Sequence, residues 1–137
     1  GEYIRQLYPD AVIRPETKYG SSRFDFYVEN KEERIFVEVK GVTLEKDGVA
    51  LFPDAPTERG VKHINELVEC ISDGYKAKIL FVIQMEDVKS FSPNDAMHKA
   101  FGNALRNAHN SGVEIMAVNC IVTEDSMIIK ENIAIVL

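Results

Sequence analysis

Two short segments constrain the fold of this chain more than any other feature. They are Ser21 to Val28, reading SSRFDFYV, and Ile35 to Lys40, reading IFVEVK. In both, β-branched and aromatic residues alternate with polar ones at a period of two, the signature of half-buried strands. In the first, Phe24, Phe26 and Val28 are expected on one face and Arg23, Asp25 and Tyr27 on the other. In the second, Val37 and Val39 oppose Phe36, Glu38 and Lys40. The polar stretch Glu29 to Arg34 between them suits a hairpin. A turn centred on Lys31-Glu32 puts Asp25 directly opposite Glu38. Directly opposed side chains have Cβ atoms about 4.5–5.5 Å apart, near enough for two carboxylates to share one divalent cation. Lys40 comes next along the same face. A register slip of one residue would turn these faces apart.

An acidic strand residue followed on the next strand by Glu-x-Lys resembles the motif of the PD-(D/E)xK nuclease fold. Paired carboxylates suit a hard cation such as Mg²⁺, which takes oxygen ligands. A lysine beside them can orient or activate the attacking water, or offset charge on the phosphate in the transition state. The same letters also occur on ordinary solvated strand faces. Pro9-Asp10 with Glu16-Thr17-Lys18 matches the motif by its letters too, and is rejected. It lacks the second apolar strand and leaves too few residues for a hairpin.

The length of 137 residues suits a single domain over residues 1–137. The composition, 45% hydrophobic and 28% charged, is that of a globular protein. No apolar run approaches the roughly 20 residues that cross a bilayer, and the N-terminus has no signal-peptide pattern. A cytoplasmic protein with no membrane partner is expected. Cys70 and Cys120 have no metal-type spacing and are expected as lone buried thiols. The net charge is −6, from 16 basic and 22 acidic residues. That counts against a generic nucleic-acid binder, for which a basic domain is expected. It leaves room for a metal-dependent enzyme with a local basic cluster.

Glu2 to Tyr8 reads as a short helix with Tyr3, Ile4, Leu7 and Tyr8 inward, halted by Pro9. After the hairpin, Gly41 to Leu44 continues the strand, Lys46-Asp47-Gly48 turns, and Val49 to Phe52 returns as the third strand of a meander. Thr57 is placed to cap a helix over Glu58–Ser72. That helix puts Val61, Ile64, Leu67, Val68 and Ile71 on an apolar face and Arg59, Lys62, His63 and Glu66 on the polar one. Ile79 to Ile83 reads as a central strand covered on both faces, followed by a looser stretch to Pro93. A helix from Asp95 to Asn110 follows, with Met97, Ala100, Phe101, Ala104, Leu105 and Ala108 as its stripe. Val113 to Val118 is a strand, and Cys120 to Thr123, Met127 to Lys130 and Ile133 to Leu137 supply one or two more at a sheet edge. The order α-β-β-β-α-β-α-β predicts a three-layer α/β fold, with a central mixed β-sheet flanked by helices. The PD-(D/E)xK core has that order.

Arg59, Lys62 and His63 fall in the first turns of the second helix, where backbone N–H groups favour phosphate. Arg and Lys add charge-assisted contacts there. A solvated helix face would show the same letters, and Glu66 one turn on would shield the cluster.

Three blocks carry a further resemblance: Ser22-Arg23-Phe24-Asp25-Phe26, Val37 to Leu44 (VEVKGVTL) and Phe52 to His63 (FPDAPTERGVKH). Together with Phe81-Val82-Ile83-Gln84 and Gly112-Val113-Glu114, they resemble the sugar fermentation stimulation protein A family. One departure is Gly41, where the family pattern often has Asn. The resemblance implies a two-domain protein in which this chain is the restriction-endonuclease-like PD-(D/E)xK domain, without the N-terminal OB-like domain. It implies that Asp25 and Glu38, with the Val39 carbonyl, bind Mg²⁺ or Mn²⁺, that Lys40 is the catalytic lysine, and that Arg23, Arg59, Lys62 and His63 face substrate. Two functions are weighed. One is a divalent-metal-dependent phosphodiesterase, a nuclease. The other is a non-catalytic DNA-binding regulator of sugar (maltose) metabolism. The intact Asp25, Glu38 and Lys40 set favours the first, because gripping a phosphate backbone needs no opposed carboxylates. Nucleic acid, with DNA favoured, is the expected partner, and a homo-oligomer is compatible with the sequence.

Overall fold

The hairpin forms with the expected register. β2 (Ser22–Glu29) and β3 (Arg34–Val42) pair antiparallel, with Phe26 opposite Val37 and Glu29 opposite Arg34. Asn30 closes the turn, its Oδ1 accepting from the backbone of Glu32 at 2.9 Å and Glu33 at 2.8 Å. This Asx-type capping fixes the register locally. The structure, a computed structural model, describes residues 2–137 apart from the side chain of Val122.

The helix before the hairpin, α1 (Glu2–Leu7), lies where the sequence puts it. The strand that follows, β1 (Val12–Tyr19), is not anticipated. Most of its residues are exposed, and it holds Pro15 and a left-handed Glu16 (φ 48°). It is an edge strand paired with β2, and an edge is where a strand tolerates proline. Of the rejected motif, Glu16 to Lys18 therefore lies on the sheet margin, and Pro9-Asp10 lies in the turn before it.

The central sheet has the order β1-β2-β3-β6-β8-β9. It adds β6 (Lys76–Ile83), β8 (Glu114–Val122) and the edge strand β9 (Met127–Asn132). β3, β6 and β8 run parallel, and both flanks are antiparallel, so the sheet is mixed as expected. All of Ala77 to Ile83 is buried, in keeping with a strand covered on both faces. Cys120 to Thr123 is not a separate strand, because β8 runs unbroken through Cys120 to Val122.

The three-strand meander is corrected. β4 (Leu44–Lys46) and β5 (Val49–Phe52) do form a hairpin, turning at Asp47 and Gly48 with φ 52° and 84°. Two positive φ values are what a two-residue turn of type I′ requires. The hairpin leaves the central sheet, however, and joins a second one of order β10-β7-β5-β4. Its partners are β7 (Ser90–Pro93), inside the supposed loose stretch, and β10 (Ala134–Ile135).

Two helices cover one face. α2 spans Glu58–Ser72 as expected, and the Thr57 hydroxyl accepts from the Gly60 N–H at 3.0 Å. α3 begins at Lys99, not Asp95, and runs to Asn110. Asp95 instead pairs with Arg106, and Met97 lies in the preceding turn at 43% exposure. One core on this face joins Phe24, Phe36, Phe81, Phe91 and Phe101 to Ile64, Leu67 and Leu105. A smaller core on the other face joins Ile4 and Ala11 to Val28, Val37, Leu80, Val118 and Cys120. Cys70 and Cys120 are both free and buried, as expected. Helix, sheet and helix thus make the three layers.

Candidate functional site

The β2–β3 ladder stops where the candidate carboxylates begin. Its last pair is Phe26 with Val37, and the next step would be Asp25 with Glu38. There the backbone pairing is replaced by a side chain, because Asp25 Oδ2 accepts from the Val39 N–H at 2.7 Å. The β1–β2 ladder also has a gap at this level, between Pro15 with Phe26 and Thr17 with Phe24, where Glu16 is left-handed. The expected alternation breaks here. Phe24 packs with Tyr27 in the α2-side core, whereas Phe26 and Val28 face the other core. β3 keeps its alternation, with Phe36 and Val42 in the α2-side core and Val37 in the opposite one.

Glu38 is 3% exposed and is met by two cationic or potentially cationic groups. Lys40 Nζ lies 2.9 Å and His63 Nδ1 2.6 Å from the same oxygen, Oε2. Lys40 Nζ is also 3.4 Å from His63 Nδ1. A buried carboxylate needs such partners, since an unpaired one would carry a large desolvation cost. Asp25 has fewer. Burial pushes its carboxyl up to about 6, and the neighbouring Glu38 adds to the rise by hydrogen bonding and like charge. The Val39 N–H and the Lys40 charge oppose that rise without cancelling it. A raised carboxylate next to a second one is a frequent property of functional sites. His63 is shifted down, first by burial and then by the charges of Lys40, Arg59 and Lys62.

The expected polar face of α2 is divided. Arg59 and Lys62 are exposed, but His63 and Glu66 are buried at 6% and 8%. The helix packs over β2 and β6 and against α3, so its buried arc is wider than the aliphatic stripe. Glu66 is buried yet stays electrostatically coupled to the basic residues, its charge opposing the fall of His63 and the Lys62 charge acting on it in turn. It turns inward under the β1–β2 turn, where Ser21 Oγ donates to its Oε1 at 2.7 Å. That turn needs Gly20, with φ +59°, since a Cβ there would sit 3.2 Å from Glu66 Oε2.

Arg23, Arg59, Lys62 and His63 line one open cleft of about 640 Å³, together with Ser21, Ser22 and Glu58. The structure therefore gathers all four expected substrate-side residues in one place. His63 belongs to both halves of the site, because it lines the cleft and contacts Glu38. Sequence reasoning missed Ser21, Ser22 and Glu58. Serine in a turn and glutamate in a first helical turn are too common to stand out. Among the described residues, no group of three or more His, Cys, Asp or Glu side chains is arranged to hold a metal ion. A cation here would complete its shell with backbone carbonyls and water.

A family model described as the sugar fermentation stimulation protein RE domain matches residues 2–126. The chain belongs to the sugar fermentation stimulation protein family. It is 56% identical over 126 residues to the sugar fermentation stimulation protein homolog of Clostridium beijerinckii, covering 92% of this chain and 56% of that protein. With the homolog of Ruminiclostridium cellulolyticum it is 53% identical over 124 residues, covering 90% of this chain and 55% of that one. It therefore spans little more than half the length of these curated relatives. Among solved structures, Pyrococcus furiosus SfsA in complex with Ca²⁺ superposes with a TM-score of 0.88 at 29% identity. That match covers 98% of this chain and 60% of the archaeal one. The mixed sheet, its flanking helices and this match agree with a restriction-endonuclease-like fold. No helix among the described residues is long and apolar enough to cross a membrane.

Proposed function

We propose that this domain carries the site of a divalent-metal-dependent phosphodiesterase acting on nucleic acid, with DNA the favoured substrate. The observation that best supports the reading is the opening of the β2–β3 ladder at Asp25 and Glu38, beside a cleft lined by Arg23, Arg59 and Lys62. The donor set fits a hard cation. It offers carboxylate oxygens, and the Asp25 carboxyl, raised to about 6 by burial and its acidic neighbour, gains from a positive charge. The Ca²⁺ complex of the archaeal relative adds a hard cation bound by a member of the same family. Mg²⁺ or Mn²⁺ would be held by Asp25, Glu38 and the Val39 carbonyl.

When bound, the cation would offset phosphoryl charge and make nearby water more acidic. Asp25 and Glu38 hold their oxygens ready beside the last β2–β3 pair, Phe26 with Val37, and Glu38 is further fixed by the pairing of β3 with β6. Lys40, 2.9 Å from Glu38, carries its ammonium beside the pair, where it can stabilise the charge that builds on the phosphate. Arg23, Arg59 and Lys62 bind flanking phosphates and set the register of the strand in the cleft. The acidic balance of the whole chain argues against backbone binding as the sole activity, because that binding is dominated by basic charge.

Cleavage of single- and double-stranded DNA and RNA, assayed with Mg²⁺ or Mn²⁺, tests this. Asp25→Asn should abolish cleavage, and Lys40→Ala should slow it by a factor on the order of 10² or more while largely keeping metal binding. Binding to nucleic acid with no cleavage of any substrate, unaltered in Lys40→Ala, would instead identify a non-catalytic DNA-binding module.

A further inference from the structure

Besides its carboxyl–carboxyl contact with Asp25, Glu38 meets two nitrogen-bearing side chains of different origin. One is Lys40, two residues along the same strand, and the other is His63, 25 residues on and carried by α2. Both meet Oε2, so Oε1 lies outside these contacts. The last torsion of a glutamate is broad and nearly two-fold in its preferences. Lys40 does little to narrow it, since an ammonium on a flexible stem behaves as a point charge and can follow either oxygen. An imidazole can narrow it, because its N–H has one direction.

The imidazole is itself held. His63 is 6% exposed, its backbone lies within α2, and its ring packs edge-on to Phe24 with centroids 6.1 Å apart. A separation of 2.6 Å from a carboxylate oxygen calls for a proton between the two atoms, and the Nδ1–H tautomer of the imidazole supplies it. The sequence puts His63 among residues that meet substrate. Its geometry, while leaving it at the edge of the cleft, also sets it against the carboxylate, where outer partners of metal ligands stand.

We infer that His63 is a positioning residue for Glu38, donating Nδ1–H to Oε2 so that the carboxylate plane is fixed and Oε1 is the oxygen offered to a cation. This rests on the reading of Asp25 and Glu38 as a cation site. It gives the α2 helix two tasks, with Arg59 and Lys62 at the cleft and His63 setting the geometry of the acidic pair.

The experiment compares Mn²⁺ binding, measured by electron paramagnetic resonance, in the wild type and in His63→Asn, His63→Gln and His63→Phe. An asparagine amide can take the place of Nδ1, whereas a glutamine amide reaches the place of Nε2. His63→Phe and His63→Gln should bind Mn²⁺ 10- to 100-fold more weakly, and His63→Asn should stay within about threefold of the wild type, since the one N–H that matters is restored. A second readout needs no metal and no His63 variant. Nitrogen–proton correlation spectra of the metal-free protein at neutral pH should show His63 protonated on Nδ1, and Glu38→Ala should move that proton to Nε2. His63→Phe with wild-type affinity, His63→Asn no better than His63→Phe, or a bare Nδ1 in the wild type would each overturn the assignment. A wild type that binds no Mn²⁺ would overturn the cation reading and this inference together. Wild-type binding with an unweakened His63→Phe would overturn this inference alone.

Discussion

At the scale of single residues, Asp25 is the carboxyl on which the candidate site turns. Burial pushes its carboxyl up to about 6, with Glu38 adding to the rise. A carboxyl whose folded value lies above its unfolded one holds more protons when folded, so its contribution is full at low pH and is lost as pH rises. In metal-free protein the contribution of Asp25 should therefore be lost between about pH 4 and pH 6, by an amount on the order of 1 kcal/mol or more, against the opposite trend of carboxylates held low such as Glu66 and Asp95. Asp25→Asn should remove that loss, as measured by urea denaturation across the pH range in the presence of a chelator. A pH dependence through this window that is the same in the mutant would mean that Asp25 is not held near Glu38. The juxtaposition of Asp25 and Glu38 was legible in the letters, because they sit on strands joined by a turn whose length sets the register. What replaces the ladder there was not. That Asp25 takes the Val39 N–H, or that Glu16 turns left-handed at the same level, depends on a neighbouring strand that the pattern did not reveal.

At the scale of elements, α2 does the most to join fold and site. Its start was readable from Thr57 and its apolar stripe from Val61 to Ile71, and both hold. Its polar face was misjudged because helical periodicity separates apolar from polar letters but not buried polar residues from exposed ones. His63 and Glu66 have partners on β3 and in the β1–β2 turn, and those partners lie 25 and 45 residues away in sequence. Arg59 and Lys62 remain outward, which yields a prediction for this helix alone. Arg59→Ala with Lys62→Ala should weaken nucleic-acid binding and reduce the slope of log affinity against log salt by roughly 2, one phosphate contact for each side chain. Circular dichroism and the melting temperature should be unchanged, since neither side chain is buried. An unchanged salt slope would leave the two residues as an ordinary solvated face.

At the scale of the whole molecule, the layer order was legible and the division into two sheets was not. The β4–β5 hairpin has the right local chemistry in Asp47-Gly48, but nothing local says which sheet it will join. Its place is set by β7 and β10, drawn from residues 90–93 and 134–135, and by aromatic packing across the core. Phe91 on β7 stacks on Phe81 of the central strand with centroids 4.2 Å apart, and Phe52 on β5 meets Phe101 of α3 at 5.1 Å. Phe91→Ala should therefore cost about 3–5 kcal/mol in chemical denaturation, the range for a fully buried aromatic. A cost below about 1 kcal/mol would show the second sheet to be only loosely attached.

Fold and proposed chemistry meet at one place, the gap where β2 and β3 part. Crystals of the protein soaked in Mn²⁺, measured at a wavelength giving anomalous signal from manganese, report on that gap without an assay or a substrate. An anomalous peak is expected between the carboxylates of Asp25 and Glu38, and it should be absent from Asp25→Asn crystals treated alike. No peak at that position in the wild type, or an equal peak in the mutant, would rule out a cation held by this pair.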